Sequence, residues 1–449
     1  MSPLPSREER GKVGIEARAR VPLSTHAGWR PATNRPDPVA LLEEQATTRI
    51  PELVPVRYGR MMVSPFTFYR GAALPMAADL APTPRSGIQV QVCGDAHLSN
   101  FGLFASPERD LLFDINDFDE TLPGPFEWDV KRLAASLVVA GRARGFPAHD
   151  TRHAVHLSVH SYRERMVEYA EMGAIDVYYS RVDAAGILAY VDKRARPYLQ
   201  DTLKSAAHHD VLHELPKLTE VVEGGRRRIV DHPPVITHPE GMTRPMVQSG
   251  HDAYRESLQE DRRALFDHYE IVDWALKVVG VGSVGLGAFA ALLDGGGGED
   301  PLFLQIKEAE ASVLERFLGP SAHATHGERV VAGQRRLQAA SDILLGWTVG
   351  PLGRHLYLRQ LQDQKGGAVI DAMTLDDLVT WGQLCGWALA RGHARSGDPA
   401  VIAGYLGTDN EFDHAISEFA DAYADQTERD HAAFVAAIKT GRIAAEAGV

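Results

Sequence analysis

Cysteine, long apolar runs and excess positive charge are all scarce in this sequence of 449 residues. Its only cysteines, Cys93 and Cys385, exclude a disulfide framework and a cysteine-based zinc site. No apolar run approaches the roughly 20 residues of a membrane-spanning helix. The first residues (MSPLPSREER) lack the apolar core of a signal peptide. A formal net charge of -13 argues against a nucleic-acid or anionic-membrane binder. We therefore expect a cytoplasmic protein with no nucleic-acid and no membrane partner.

What the sequence does contain is a change from helical to β-type patterns and back, which predicts an α+β fold. Residues 1–38 lack periodicity and are expected to form an arm. A helix should follow and end before Pro51, and the chain after it should be extended. A further helix is expected over 328–347, between two strands. The predicted organisation is an arm and helix (1–56), a helical lobe (57–270), a β-rich lobe (271–365) and helices that complete the helical lobe (366–449).

The stretch QVCGDAHLSNFGLF (91–104) puts a carboxylate, an imidazole and a carboxamide into one short turn between two strand-like runs. Ordinary turn chemistry also uses Gly, Asp, Ser and Asn at such places. The spacing of Asp95 and Asn100 is D-x-x-x-x-N, as in kinase catalytic loops. There the Asp takes the proton of the substrate hydroxyl and the Asn holds magnesium. Segment 94–102 is therefore the predicted catalytic loop.

This turn and the segment after it resemble parts of known phosphotransferases. GDAHLSN resembles the H-G-D-x-H-x-x-N loop of aminoglycoside and choline phosphotransferases, with Cys93 in place of the leading His. NDFD is similar to the I-D-F-E/D segment of choline-type kinases. The resemblance implies that Asp117, within segment 114–120, binds Mg²⁺, with Asp119 assisting and Asp114 as a substitute. It also implies that Asp129 opens the next helix and braces the catalytic loop.

The motif GVGSVG (280–285) fits G-x-G-x-x-G, in which glycines let backbone N–H groups approach phosphates closely. As a Rossmann fingerprint it requires a following helix and an acidic residue about 20 positions on, a role that Glu308 would take. As a kinase-type loop it forms a β-hairpin over ATP. The expected cofactor contacts are Gly280, Gly282, Ser283 and Gly285.

A lysine in an apolar run also helps to decide between the Rossmann and the kinase-type interpretation. Lys307 ends LFLQIK, where the kinase V-A-I-K segment has its phosphate-binding lysine. Burying an ammonium without a partner is costly, so we expect a phosphate or a helix glutamate beside it. Glu328 is the expected glutamate, and Glu315 and Gln334 are alternatives. The residues around the glycine motif support the Rossmann and the kinase-type interpretation about equally. The motifs at 91–129 favour the kinase-type one.

The order of the parts requires a circular permutation. Gly280 follows Asp95 by 185 residues (280 − 95), whereas kinases place the glycine-rich lobe first. Read from Trp274, the parts come in kinase order, ending with GWALARGHARSG (386–397), which resembles the L-A-R-L-H helix of aminoglycoside phosphotransferases. We therefore expect a protein-kinase-like two-lobed fold, circularly permuted, with a small β-rich nucleotide lobe inserted late beside a mainly helical lobe. The expected hinge residues Arg359, Asp363 and Lys365 are candidates for substrate contacts or for the surface.

Several motifs also identify the chain as a member of the bacterial family called domain of unknown function 2252. They run from about Arg57 to the C-terminal YADQTERDHAAFVAAI. The motifs are SPFTFYRG, GDAHLSNFG, NDFDE, GVGSVG, LQIKEA, GQR, LRQLQDQKG and ARSGD. The family name itself implies no activity.

Together these patterns predict a phosphotransferase that uses ATP and Mg²⁺ and acts on a small hydroxylated acceptor. Asp95, Asn100 and Lys307 are the expected catalytic residues, and Asn100, Asp117 and Asp119 the expected metal ligands. A non-catalytic nucleotide-binding regulator and a protein nucleotidyltransferase are alternatives. An NAD(P)-dependent oxidoreductase is less favoured, because it leaves the two acidic motifs unexplained. The expected partners are a nucleotide and a small-molecule or protein acceptor.

Overall fold

The computed structural model describes residues 4–448 except 191–195, 197–199, 201–202, 205–214, 216–217, 223–226, 279, 298–299, 362–365 and 368. Helices and antiparallel sheets are both extensive, so the architecture is α+β. None of the described helices is long and apolar enough to cross a membrane.

The helices are numbered here in chain order over the described residues. They are α1 (Arg7–Arg20), α2 (Pro38–Ala46), α3 (Val54–Met61), α4 (Pro65–Arg70), α5 (Ala73–Leu80), α6 (Phe126–Ala143), α7 (Ala148–Glu171), α8 (Ala174–Tyr179), α9 (Ala184–Tyr190), α10 (Arg244–Glu256), α11 (Glu260–Phe266), α12 (Glu315–Leu318), α13 (His326–Leu337), α14 (Leu375–Ser396), α15 (Pro399–Leu406) and α16 (Glu411–Lys439).

The strands form four sheets among the described residues. They are β1 (Gln89–Val92), β2 (Phe101–Ala105), β3 (Leu111–Ile115), β4 (Leu122–Pro125), β5 (Thr219–Val221), β6 (Arg227–Ile229), β7 (Ile236–Thr237), β8 (Glu270–Lys277), β9 (Ala288–Asp294), β10 (Pro301–Glu308), β11 (Gly346–Val349), β12 (His355–Gln360) and β13 (Gly366–Gly367). The strand orders are β1-β4, β13-β2-β3, β5-β6 and β11-β12-β10-β9-β8-β7.

The helical body is organised around α6, which is buried along nearly its whole length. Helices α7, α14 and α16 pack against it and share one large apolar core with β1 to β3. A helix that is apolar on most sides needs such enclosure to be stable in water. The first turn of α6 carries Asp129 and its second turn carries Arg132. These two residues are 1% and 3% exposed and lie directly under the turn between β1 and β2.

The six-stranded sheet is the β-rich unit, and consecutive hairpins build its centre. Strands β8, β9 and β10 pair antiparallel in sequence order, and β10 also pairs with β12, which places Lys307 opposite Tyr357. The expected alternation of strands and glycine turns is confirmed. The predicted helix over 328–347 is wrong at its end, because α13 stops at Leu337 and residues 346–349 form β11, paired with β12.

The predicted start of this unit at residue 271 is also too late. Strand β7 already pairs with β8, and α10 and α11 cover one face of the sheet. Tyr254 and Phe266 from these helices pack with Leu304 and Leu358 from the strands. The sheet requires this cover because its strand faces are apolar on that side.

The N-terminal segment is more ordered than its composition suggests. Helix α1 begins with a capping box between Ser6 and Glu9 and packs on α15, where a Cβ on Gly404 would lie 2.2 Å from the Gly11 carbonyl oxygen. The expectation of an arm without helix is therefore wrong. The extended exit expected after α2 is wrong too, since α3 occupies 54–61 with a proline in its first turn, where proline is tolerated.

Candidate functional site

The predicted catalytic loop is a tight turn between β1 and β2, fixed by one carboxylate beneath it. Asp129 accepts hydrogen bonds from the backbone N–H groups of Cys93 (2.7 Å) and Gly94 (3.0 Å). Gly94 has φ 83°, and a Cβ there would lie 2.4 Å from the Glu120 carbonyl oxygen, so the turn requires glycine. His393 Nε2 lies 3.3 Å from Asp129 Oδ2. The bracing role expected of Asp129 is confirmed.

Asp95 follows in this turn and pairs with a residue that the sequence did not single out. Nε and Nη2 of Arg132 lie 2.8 and 2.7 Å from Asp95 Oδ1. The other carboxylate oxygen, Oδ2, lies 3.7 Å from His97 Nε2, beyond hydrogen-bond distance. Burial raises the pKa of Asp95, and Arg132 acts against that rise. Asn100 Nδ2 donates to the Asp95 carbonyl oxygen at 2.9 Å, so the amide oxygen is the atom that remains for a ligand.

The carboxylates of the DINDFD segment occupy different environments. Asp114 is 1% exposed and accepts two hydrogen bonds from Arg391 Nη2, at 2.8 and 2.7 Å. It is a structural residue, so its predicted role as a substitute metal ligand is wrong. The side chain of Asp117 is 31% exposed, and its Oδ1 accepts the backbone N–H of Asp119 at 3.1 Å. Burial, followed by the neighbouring Asp119 carboxylate, raises the pKa of Asp117.

Asp119 is the point at which the separate motifs meet. Lys307 Nζ lies 2.6 Å from its Oδ2, the Tyr357 hydroxyl donates to Oδ1 at 2.6 Å, and the Ser283 hydroxyl lies 3.2 Å from Oδ2. Lys307 Nζ is also 3.6 Å from Asp117 Oδ2. Burial opposes the charge on Lys307, but the two carboxylates raise its pKa and keep it protonated. Burial raises the pKa of Asp119, but Lys307 and Tyr357 together lower it by more, so the net pKa of Asp119 is lowered.

The predicted ion pair between Lys307 and Glu328 is wrong. Glu328 lies in the first turn of α13, and its carboxylate accepts the backbone N–H of Ala324, just before the helix, at 3.2 Å. The helix is capped by Thr325, whose side chain accepts the backbone N–H of Glu328. Of the alternatives, Glu315 accepts a backbone N–H in its own turn, and Gln334 bonds a glutamine one helical turn later. The partner that sequence analysis sought on a helix is Asp119.

A further residue of α13 connects the β-rich unit to the acidic segment. Arg329 is 1% exposed, and its Nη1 donates to the Thr121 carbonyl oxygen at 2.7 Å. Its Nη2 donates to the carbonyl oxygens of Asp119 and Glu310, both at 2.8 Å. Nothing in the sequence spacing of Arg329 distinguishes it from Arg335 and Arg336 of the same helix, so its role was not predictable.

The GVGSVG segment connects β8 to the antiparallel strand β9, so it is a hairpin loop. The Rossmann interpretation is wrong at this point, because it required a helix where β9 lies. Gly280 and Gly285 have φ 67° and 91°, a conformation that favours glycine. Arg60 Nη1 donates to the Gly280 carbonyl oxygen at 2.6 Å, and Arg49 Nη1 donates to that of Val284. Residues of the N-terminal segment therefore hold the loop in place.

The motifs converge on one cavity of about 740 Å³. The predicted site residues among its lining are Asp95, Asn100, Asp117, Asp119, Gly280, Gly282 and Ser283. Lys307 lies behind Asp119, and the predicted cofactor contacts Gly285 and Glu328 are not lining residues. Arg359 Nη1 donates to the Asn116 carbonyl oxygen at 2.9 Å. Asp363 and Lys365 lie outside the described residues.

The donor set fits a hard divalent cation that is shared with phosphates. In the part of the chain that the structure describes, no three His, Cys, Asp or Glu side chains form a metal-binding group. Mg²⁺ is usually held by one or two carboxylates together with phosphates and water, so it does not need such a group. Asp117 and the amide oxygen of Asn100 are the atoms that fit. Both oxygens of Asp119 already accept hydrogen bonds, so its predicted metal role is the weaker one.

Residues 49–437 match the family model for an uncharacterised protein conserved in bacteria, DUF2252. No curated protein matches the chain, and no solved structure does. The matched range includes the turn at 94–102, the acidic segment and the glycine loop, and it covers well over half of the sequence. The chain therefore belongs to the DUF2252 family.

Proposed function

We propose that the protein is a phosphotransferase that uses Mg²⁺ and ATP, with a kinase-like two-lobed fold in circularly permuted order. The observation that carries the proposal is the contact of Lys307 with Asp119 at 2.6 Å and with Asp117 at 3.6 Å. These residues lie 188 and 190 positions apart (307 − 119 and 307 − 117). Phosphoryl transfer needs a lysine, carboxylates and a glycine loop close together. Here the carboxylates and the glycine loop line the cavity, and Lys307 lies directly behind Asp119.

Mg²⁺ with ATP, when bound, supplies the transferable phosphoryl group and neutralises charge on the phosphates. Asp117 and Asn100 would hold the metal. The carboxylates of Asp117 and Asp119 keep Lys307 charged. When ATP binds, a phosphate oxygen would replace Asp119 as the contact of the Lys307 ammonium group. The glycine loop lines the same cavity, and its backbone N–H groups would contact the phosphates.

Asp95 is suited to accept the proton of an acceptor hydroxyl. Arg132 contacts Oδ1 alone, which fixes the carboxylate and leaves Oδ2 for the acceptor. The cavity volume of about 740 Å³ accommodates a small acceptor beside a nucleotide tail. A small hydroxylated molecule is therefore the acceptor class that we propose.

The proposal is tested by isotope transfer from ATP labelled at the γ or the α position, with a panel of hydroxylated small molecules. We expect Mg²⁺-dependent transfer of the γ label, lost in Asp95→Asn and retained in Glu328→Gln, because the Glu328 carboxylate accepts the Ala324 N–H and is not a lining residue of the cavity. Transfer of the α label alone would instead show a nucleotidyltransferase. ATP binding without either transfer across the panel would show a non-catalytic nucleotide-binding regulator.

A further inference from the structure

One side of the cavity is built by three arginines from the N-terminal segment, which the kinase-type motifs do not include. Arg49 follows α2, Arg57 lies in α3 and Arg70 ends α4. All three line the cavity, and we call them the arginine wall. Arg49 and Arg57 are 6% and 1% exposed, whereas Arg70 is half-buried and is the most accessible of the three.

The guanidinium groups of the arginine wall are only partly hydrogen-bonded. Arg57 Nη2 donates to Gln45 Oε1 and to the Gly71 carbonyl oxygen, both at 2.9 Å. Its Nε and Nη1, together with Nε of Arg49 and of Arg70, are buried without a hydrogen-bond partner among the described residues. Burial lowers the pKa of each of the three guanidinium groups. Three partly desolvated cations in one wall are costly unless an anion joins them.

Elsewhere the fold compensates a buried guanidinium with a carboxylate. The pairs are Arg35 with Asp79 and Asp430, Arg132 with Asp95, Arg163 with Asp413, and Arg391 with Asp114. The arginine wall departs from this pattern, because none of its members forms an ion pair with a described carboxylate.

The described acidic residues of the cavity form no ion pair with the arginine wall. Asp119 pairs with Lys307 at 2.6 Å, and Glu308 pairs with Arg354 at 2.5 Å. Glu120 accepts the backbone N–H of Val313 at 2.7 Å and, together with Glu310, favours the charge on Arg49 and Arg57 only from beyond ion-pair distance. The guanidinium groups of the wall therefore keep N–H groups that have no partner among the described residues.

We propose that the arginine wall binds a phosphate group, supplied either by the polyphosphate of the nucleotide or by a phosphorylated second substrate. Guanidinium donors match phosphate oxygens in geometry as well as charge, and the unused N–H groups are the donors that such a group needs. The reaction in which this group takes part rests on the proposed function, but its binding does not require Mg²⁺. Arg70, between the cavity and the glycine loop, makes the first contact.

The test is titration of inorganic phosphate into the full chain in EDTA at constant ionic strength, followed by calorimetry. Variants are Arg70→Gln, which loses no hydrogen bond that the described structure shows, and Arg57→Gln. Arg142→Gln is the matched control, because Arg142 pairs with Asp425 on the surface away from the cavity. We expect either wall substitution to weaken phosphate binding about tenfold or more, and the control to leave it within about twofold. No saturable binding to the wild type, or binding to both wall variants that is as tight as binding to the wild type, would overturn the proposal.

A second titration with saturating ATP and Mg²⁺ separates the two sources of the phosphate. Loss of phosphate binding would assign the arginine wall to the nucleotide, and retained binding would assign it to a phosphorylated second substrate. In Asp117→Asn, which removes the predicted metal ligand, phosphate binding should persist while binding of ATP with Mg²⁺ is lost. Arginine-dependent phosphate binding in a wild type that binds no ATP would support the arginine wall and contradict the phosphotransferase.

Discussion

At the scale of single residues, Asp114 and Asp117 are close in sequence but differ in burial and therefore in role. Asp114 is almost completely buried and is held by Arg391, whereas Asp117, three positions on, has a partly exposed carboxylate on the cavity. A buried ion pair that loses one partner leaves an uncompensated charge, but a part-exposed carboxylate that holds a ligand contributes little to folding. Chemistry and stability are therefore separable within this segment.

The two residues should respond differently to the same substitution. Asp114→Asn is expected to lower the free energy of unfolding by about 3 to 5 kcal/mol, because Arg391 is left unpaired in the core. Asp117→Asn is expected to change it by less than about 1 kcal/mol, because losing the repulsion from Asp119 offsets losing the attraction of Lys307 at 3.6 Å and the hydrogen bond from the Asp119 N–H. Urea unfolding of both variants measures these changes in the free energy of unfolding. Equal losses would contradict the structural role given to Asp114.

The residues of the site were predictable where a motif fixes their chemistry, and less so where a partner had to be chosen. Lys307 and the NDFD carboxylates were expected at one site because both segments resemble kinase motifs that meet at the phosphates of ATP. Tyr357 and Arg132 are common residue types with no distinctive spacing, and only the fold brings them to Asp119 and Asp95. Glu328 failed as a partner because its carboxylate accepts the backbone N–H of Ala324, just before its own helix.

At the scale of elements, the glycine loop is a hairpin that the N-terminal segment clamps from outside. Backbone groups at both ends of the loop are held, by Arg60 at Gly280 and by the Ile50 N–H at the Gly285 carbonyl oxygen (2.8 Å). A loop fixed in this way presents its backbone in one conformation, which reduces the entropy lost on binding a phosphate.

The glycines of this loop are not equivalent, and alanine substitution should separate them. Gly285 has φ 91°, and its Cβ would lie 3.1 Å from Arg49 Cβ, so Gly285→Ala should cost about 1 to 2 kcal/mol of stability. At Gly282 the Cβ would lie 3.5 Å from the Arg70 carbonyl oxygen, an ordinary contact, so Gly282→Ala should leave stability within about 0.5 kcal/mol. Thermal unfolding of the two variants provides the comparison. A larger loss for Gly282→Ala would show that the loop has a different conformation.

Local sequence patterns predicted the strands of the β-rich unit where short hairpins connect them. Strands β8 to β10 follow from apolar runs separated by glycine turns, and the structure has them. Strand β7 and helices α10 and α11 were not assigned to the sheet, because their polar sequence gives no sign of the face they cover. Their place depends on tertiary contacts with residues such as Leu304 and Leu358.

At the scale of the whole molecule, the beginning and the end of the described chain are packed together. Arg35 forms ion pairs with Asp79 at 2.7 Å and with Asp430 at 2.6 Å, and the backbone N–H of Glu446 donates to the Pro55 carbonyl oxygen at 2.8 Å. Close ends are the condition under which a fold tolerates a changed order of its parts. This arrangement supports the proposed permutation, in which the turn at 94–102 comes before the β-rich unit in the chain.

The same packing makes stability sensitive to acid. His26, 1% exposed, lies 2.7 Å from the Tyr405 hydroxyl, and burial with a smaller effect of Lys131 lowers its pKa from 6.5 to about 3. Below pH 6.5 the unfolded chain takes up a proton that the folded chain does not. His26 should therefore cost up to about 1.4 kcal/mol of stability for each pH unit below that value, until its folded pKa is reached.

The comparison that checks this is urea unfolding of wild type, His26→Gln and His149→Gln from pH 8 to pH 4.5. His26→Gln should lose less stability than the wild type as the pH falls, because the titrating group is gone. His149 is exposed on the surface, so His149→Gln should follow the wild type. Parallel curves for the wild type and His26→Gln would show that His26 does not control the acid response.

The central claim is that motifs far apart in the chain form one site for ATP and Mg²⁺, and calorimetric titration of that ligand tests it most directly. Wild type, Lys307→Ala, Asp117→Asn and Glu328→Gln would be compared, with NAD⁺ as the control ligand. We predict magnesium-dependent ATP binding to wild type and Glu328→Gln, a loss of about tenfold or more in the other two variants, and no NAD⁺ binding. No ATP binding to the wild type, or binding that is indifferent to Lys307 and Asp117, would contradict the account.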